Sequence, residues 1–183
     1  MSLAKTRILG RLLVVAAFAA LTAGCFQPMY AEHADGTPGL RDKLMGVELP
    51  PVDKPNSSRE ARLGVAIRNA LAFKLYGNAT GTAPTHRLVI KFTTSRYDLM
   101  TDPNTGLPTS ENSGIDAQYN LIDIATNKSV MTGTTFSHVS YDIPGSYQRF
   151  SRERALRDAE DRASQEIAEN IKTRLASYFF SGA

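Results

Sequence analysis

The chain has 183 residues, of which 42% are hydrophobic and 21% charged, with one cysteine and a formal net charge of +3 at pH 7. This composition is typical of a globular protein and excludes a disordered chain, and a single cysteine excludes an internal disulfide. The excess positive charge comes from Lys5, Arg7 and Arg11, because residues 25–183 carry 18 basic and 18 acidic side chains. That balance removes the electrostatic argument for a nucleic-acid partner.

Residues 1–24 have the pattern of a secretory signal peptide. A basic start is followed by an uncharged apolar run at 12–21, which is too short to cross a bilayer core of about 30 Å. The small residues Ala23 and Gly24 directly precede Cys25, as at the site where bacterial lipoprotein precursors are cut and acylated. We therefore predict that Cys25 is the lipidated first residue of the mature protein, which anchors it to a membrane without a spanning helix.

Residues 25–43 are predicted to form a lipidated tether, because they mix proline and glycine with polar residues and show no helical or strand period. Phe26, and not aspartate, follows the cysteine. In lipoproteins of enteric-type sorting this points to the outer membrane. Residues 44–180 are then predicted to form a single domain.

The first elements predicted in this domain are a short strand at 44–49, ended by two prolines, and a helix at about 58–76. Ser57 and Glu60 have the spacing of a capping box at the helix start, and Gly77 with Asn78 is typical of a helix end. Apolar residues recur at intervals of three and four along the helix, at Leu63, Ala66, Ile67, Ala70, Leu71 and Leu75.

Alternation of apolar and polar residues predicts a strand at 88–97 and another from Ala117 to the short turn at 125–128. Between them, residues 98–114 are rich in aspartate, asparagine, glycine and proline, so we predict a long polar loop there. A third strand is predicted at 129–141, which makes an antiparallel meander.

The longest helix is predicted at 151–179, with an apolar stripe on one side and charged residues on the other. The predicted fold is therefore α+β, with two helices packed on one face of a four-stranded, mostly antiparallel sheet in the order β-α-β-β-β-α. The other sheet face is then open to water or a partner, and it carries Lys91, Thr93, Gln118, Asn120, Thr132 and Thr134.

The sequence contains no motif for catalysis, for a cofactor or for a metal. His33, His86 and His138 are scattered, and Ser137 cannot pair with His138 because neighbouring strand residues point to opposite faces. Carboxylates of the last helix alternate with arginines at the spacing of surface ion pairs. We therefore expect a protein that is not an enzyme and uses no cofactor.

The lipoprotein start, the segment Cys25-Phe26-Gln27-Pro28-Met29-Tyr30 and the order of elements resemble the LptE family of lipopolysaccharide-assembly lipoproteins. Starts of the kind Cys-(Gly)-Phe-x-Pro-Leu-Tyr are frequent in that family; here the glycine is absent and Met29 stands for leucine. The resemblance implies a protein on the periplasmic face of the outer membrane that plugs the lumen of the β-barrel LptD and assists delivery of lipopolysaccharide to the surface. A neutral domain with an open sheet face suits a polar barrel interior.

Lipopolysaccharide carries clustered phosphates, which basic side chains bind well. The candidate contacts are Arg96, beside the predicted long loop, and Lys128, in the short turn, and the two fall at opposite ends of the meander. Loops as long as 98–114 are often functional. Its candidate contacts to the partner barrel are Asp102, Asn104, Gly106 and Glu111.

Two other functions remain open at this point. An auxiliary lipoprotein of a lipid-transport ABC system, or a periplasmic activator of cell-wall synthesis, also places a small α/β domain on a lipid tether. An enzyme would need a pocket of convergent polar groups, and no set of residues in the sequence is suited to line one.

Overall fold

The structure is a computed structural model that describes residues 38–77, 82–143 and 149–181. The signal peptide, Cys25, the segment at 25–30 and His33 lie outside the described residues. From Leu40 on, the chain forms one compact unit. Its elements are α1 (Leu40–Met45), β1 (Val47–Glu48), α2 (Arg59–Tyr76), β2 (His86–Thr101), β3 (Pro108–Asp123), β4 (Lys128–Asp142) and α3 (Arg149–Ser181).

The four strands form one sheet in the order β1-β2-β3-β4. β1 pairs with β2 in parallel over two residues, and the two other pairings are antiparallel. The α+β class and the predicted order of strands and long helices are confirmed.

The strand predicted at 44–49 is wrong at its first residues. Leu44 and Met45 belong to the helix α1, and only Val47 and Glu48 pair in the sheet. Leu40 and Leu44 lie four residues apart and are both buried in the main core, which is the spacing of one helix face. Residues at the end of the predicted tether are thus packed against the domain.

The long polar loop predicted at 98–114 is also wrong. β2 continues to Thr101 and β3 begins at Pro108, so the turn comprises only residues 102–107. β3 is paired on both sides here: Glu111 lies opposite Asp98 of β2 and opposite Tyr141 of β4. These two ladders satisfy the backbone polar groups, so a segment rich in turn-forming residues is held as a strand.

The helix starts differ from prediction by one or two residues. The hydroxyl of Ser58, and not of Ser57, accepts the Ala61 N–H at 2.9 Å and caps α2. At the other end, Gly77 has φ = 62° and its N–H donates to the Phe73 carbonyl at 2.8 Å, as predicted for a glycine helix end. α3 begins at Arg149, two residues before the predicted start.

The core lies between one face of the sheet and the two long helices. Leu88, Ile90 and Phe92 of β2 alternate inward, as predicted. The same core holds Leu63, Ile67 and Leu71 of α2, Ile115, Ala117 and Leu121 of β3, and Ile167, Ile171 and Leu175 of α3. None of the helices in the described segments is long and apolar enough to span a membrane.

Leu63→Ala should lower the free energy of unfolding by about 3 kcal/mol, because it opens a cavity under a fully buried side chain. Val65→Ala on the same helix is the control and should cost less than about 1 kcal/mol, since Val65 is 57% exposed. Urea unfolding followed by circular dichroism measures both. Equal losses would contradict the placement of α2 on the sheet.

Candidate functional site

The end of the β2–β3 hairpin concentrates exposed apolar side chains. We call residues 97–108 the hairpin tip. Tyr97, Leu99 and Leu107 are each 46% exposed and Met100 is 66% exposed. Single exposed apolar residues are ordinary on protein surfaces, whereas a cluster of them is typical of a contact surface.

The turn within the hairpin tip has a defined geometry. The Asp102 carboxylate accepts the Asn104 N–H at 2.8 Å, and this bond lowers the pKa of Asp102. The Asp102 carbonyl accepts the Gly106 N–H at 2.8 Å, and Gly106 has φ = 69°, which favours glycine. Asp102 and Gly106 therefore shape the turn, and Asn104 lies exposed within it.

Glu111, predicted as a loop contact, is instead a buried strand residue. It lies on the sheet face that carries the helices, is 2% exposed, and its carboxylate accepts hydrogen bonds from the Tyr141 hydroxyl and the Arg152 guanidinium. Burial and the bond to Glu111 raise the pKa of Tyr141 to about 12, so its hydroxyl remains a proton donor. This cluster joins β3 and β4 to the first turns of α3, and Glu111 is not available to a partner.

Arg96 lies on the same sheet face as this cluster. It pairs with Ser113 in the sheet, and its side chain is exposed. Its positive charge lowers the pKa of Tyr141, but burial of the tyrosine raises this pKa by more. Five residues separate it from the end of β2. Arg96 thus lies within the strand and does not flank a loop.

Lys128 lies at the other end of the sheet, where it begins β4 and pairs with Asp123. Asp123 shapes the short turn, since its carboxylate accepts the N–H groups of Ala125 at 2.7 Å and Thr126 at 3.0 Å, which lowers its pKa. The β3 partners of Arg96 and Lys128 are ten residues apart, which is about 33 Å along a strand. The two cations cannot contact one phosphate group.

A second buried carboxylate was missed by the sequence analysis. Glu160 of α3 is 1% exposed and binds the guanidinium groups of Arg59 and Arg62 on α2. The prediction treated all acidic residues of this helix as surface partners. The signal that could have found it is its position beside Ala159 and four residues after Leu156, on the apolar stripe.

The sheet face opposite the helices is polar and open. It bears two shallow grooves of about 470 and 500 Å³ that share Lys91 and Gln118. Exposed Phe136 contacts the His138 ring at 5.6 Å on this face. Ser137 points to the other face and donates to Glu166 at 2.6 Å, so Ser137 and His138 lie on opposite faces as predicted. Within the described segments no three side chains are grouped to hold a metal ion.

The fold is similar to that of two solved bacterial lipoproteins. A lipoprotein from Caulobacter crescentus CB15 matches with a TM-score of 0.60 and 19% identity, over 79% of this chain and 97% of that chain. Rare lipoprotein B from Shewanella oneidensis matches with a TM-score of 0.52 and 13% identity, over 74% of this chain and 96% of that chain. Because the two sequence identities are only 19% and 13%, the structural similarity establishes the fold alone. Among curated proteins none matches the chain.

The sequence also matches a family model. The LptE model, described as lipopolysaccharide-assembly, matches residues 44–175, which is more than half of the chain. The chain therefore belongs to the LptE family of lipopolysaccharide-assembly lipoproteins, a non-catalytic family. The resemblance found in the sequence is confirmed.

Arg152→Ala should lower the free energy of unfolding by about 2 kcal/mol, because it removes the guanidinium that compensates the charge of the buried Glu111 carboxylate. The cost stays below that of a fully buried pair, since Arg152 is half exposed. Arg154→Ala, an exposed neighbour on the same helix, should cost less than about 0.5 kcal/mol. Urea unfolding measures the difference. No difference between the two variants would contradict the cluster.

Proposed function

We propose that this protein, acylated on Cys25, lies at the periplasmic face of the outer membrane, forms a plug-like complex with an LptD-type β-barrel and assists transport of lipopolysaccharide to the cell surface. Membership of the LptE family over residues 44–175 carries this proposal. The protein acts by binding and not by catalysis.

The open sheet face supports a plug in a polar lumen. Lys91, Thr93, Gln118, Thr132 and Thr134 are exposed on it, so hydroxyl and amide groups dominate and isolated charges are few. The interior wall of a large outer-membrane barrel is polar and presents similar groups. A face of this kind packs against such a wall by hydrogen bonds, with a carboxylate or carbonyl of the wall as the partner of Lys91.

The hairpin tip is the second proposed contact with the barrel. Its apolar side chains lie on both sides of a turn whose shape is fixed by hydrogen bonds of Asp102. A shaped, apolar tip loses little conformational entropy when a partner covers it. Asn104 adds one exposed amide within the turn. Glu111 is excluded from the contact by its burial.

The barrel complex is tested by affinity capture of the tagged, full-length protein from detergent-solubilised outer membranes. We expect a large β-barrel protein in near-equal amount. Met100→Ser/Leu107→Ser, which makes the hairpin tip polar and keeps its turn, should reduce the captured barrel roughly tenfold, since loss of well-packed apolar anchors costs 1–2 kcal/mol or more. Val65→Ser/Phe73→Ser alters equally exposed apolar residues of α2 and is the matched control.

Recovery of transporter subunits or of a cell-wall synthase in place of a barrel would contradict the proposal and favour the alternatives that the sequence left open. If the hairpin-tip variant captures the barrel as well as the unchanged protein does, the plug-like complex is supported and the hairpin tip is not part of its contact surface.

Arg96 and Lys128 are proposed as two independent contacts to lipopolysaccharide phosphates. Both are exposed cations, and arginine in particular binds phosphate with two parallel hydrogen bonds. Because they lie at opposite ends of the sheet, they contact different groups or different molecules of lipopolysaccharide.

Arg96→Gln/Lys128→Gln should weaken binding of lipopolysaccharide by the purified full-length protein roughly tenfold, since hydrogen bonds to charged groups contribute about 1.5–3 kcal/mol each and salt screens groups as exposed as these. Arg154→Gln/Arg157→Gln removes the same charge from the exposed face of α3 and is the control. If the two double variants have equal unfolding midpoints and bind lipopolysaccharide with equal affinity, Arg96 and Lys128 are not its contacts.

A further inference from the structure

One end of the domain gathers three segments that are distant in sequence. Lys43 Nζ of α1 donates to the Phe179 carbonyl near the end of α3 at 3.3 Å. The His86 ring contacts the Phe179 ring at 5.1 Å. The Ile124 N–H, in the short turn after β3, donates to the Thr85 carbonyl at 3.0 Å. The last turn of α1, the short turn and the end of α3 therefore share one end of the sheet.

This surface combines exposed apolar side chains with cations. We call Arg41, Lys43, Ile124, Lys128 and Phe180 the anchor-side surface. Phe180 is 57% exposed and Ile124 is 37% exposed, and the three cations are exposed. Two carboxylates lie nearby, those of Asp42 and Asp123, and the oxygens of Asp123 are engaged by the N–H groups of the turn. Apolar side chains beside cations are typical of the interface of a membrane with anionic headgroups.

The chain length connects this surface to the membrane. α1 begins at Leu40, 15 residues after Cys25, so an acylated Cys25 lies within about 50 Å of Leu40 in any conformation of the intervening residues. β2 has 16 residues, so the hairpin tip is about 50 Å away from the anchor-side surface. A tether of this length allows the anchor-side surface to reach the bilayer, and it enters the domain at α1, which packs at this end of the sheet.

We infer that the anchor-side surface lies against the membrane, with Phe180 and Ile124 at the boundary between headgroups and acyl chains and Arg41, Lys43 and Lys128 at the phosphates of anionic phospholipid. The inference rests on the acylation of Cys25 within the proposed function, and it adds a second attachment to the bilayer. Two attachments hold a protein far better than one, because the first raises the local concentration of the second. They also set the orientation of the domain, which a tether alone leaves free.

The test uses the absence of tryptophan from the sequence. Phe180→Trp places a single tryptophan, whose emission can be excited apart from that of the tyrosines, in the anchor-side surface. Phe150→Trp places one at the other end of α3, where Phe150 is 88% exposed and about 45 Å away along the helix axis. Each variant is expressed from the full sequence, purified from membranes and reconstituted into vesicles of phosphatidylcholine and phosphatidylglycerol, with and without bromine on the acyl chains.

We expect brominated chains to reduce the emission of the Phe180→Trp variant roughly twofold, because an apolar side chain at the interface reaches about 5–10 Å into the headgroup and acyl boundary. Emission of the Phe150→Trp variant should not change. Adding Arg41→Gln/Lys128→Gln to Phe180→Trp should reduce the quenching, as should vesicles of phosphatidylcholine alone.

Equal quenching of the two tryptophan variants, or none in either, would overturn the inference. Flotation of the same samples shows whether a missing quenching signal contradicts the second attachment alone or the acylation on which the proposed function also rests. A protein that floats with the vesicles without quenching at position 180 keeps its acyl anchor and has no second attachment. A protein that does not float contradicts acylation, and with it both the anchor and the attachment.

Discussion

Burial of one sheet face beneath two long helices is the constraint on which the rest of this structure depends. Neighbouring strand residues point to opposite faces, so packing both long helices on one face leaves the other without a protein partner in the described chain. α3 has 33 residues and β2 has 16, which gives both a length of about 50 Å. One helix therefore follows the sheet from end to end, and the domain gains a polar open face together with two ends of different chemistry.

Two buried carboxylates fix where the helices lie on that face. A buried carboxylate is costly unless its partners are in place, so it disfavours arrangements in which they are displaced. Glu160 binds Arg59 and Arg62 of α2, and Glu111 binds Arg152 of α3 beside the Tyr141 hydroxyl. Leucine and alanine contacts alone would tolerate a helix shifted along the sheet. The ion pairs make such a shift energetically unfavourable at two positions of α3, Arg152 near its start and Glu160 further along.

The long helices and the first half of β2 were predictable because their patterns are local. Leu88, Ile90 and Phe92 alternate, and the stripe from Leu63 to Leu75 has the helical period, so each element carries its own evidence. Residues 98–114 carry turn signals, and what holds 98–101 and 108–114 extended is the pairing of β2 with β3. From Ser110 on, β4 adds a second ladder, whose partner residues come 24 to 32 positions later. The burial of Glu111 likewise depends on Arg152, 41 residues away. The helix α1 was different, since the spacing of Leu40 and Leu44 was visible and was overlooked.

The distance between the two ends of the sheet limits what a single binding event can do. Arg96 belongs to the half of the sheet that contains the Glu111 cluster and leads to the hairpin tip, whereas Lys128 belongs to the half where α1 begins. The proposed acyl anchor on Cys25 joins the second half, and the first half lies beyond it by most of the length of β2. The proposed contacts of the hairpin tip therefore need a partner that extends about 50 Å from the end where the chain is anchored. A barrel wall that surrounds the domain meets this requirement, and a flat membrane surface meets it only when the domain lies on its side.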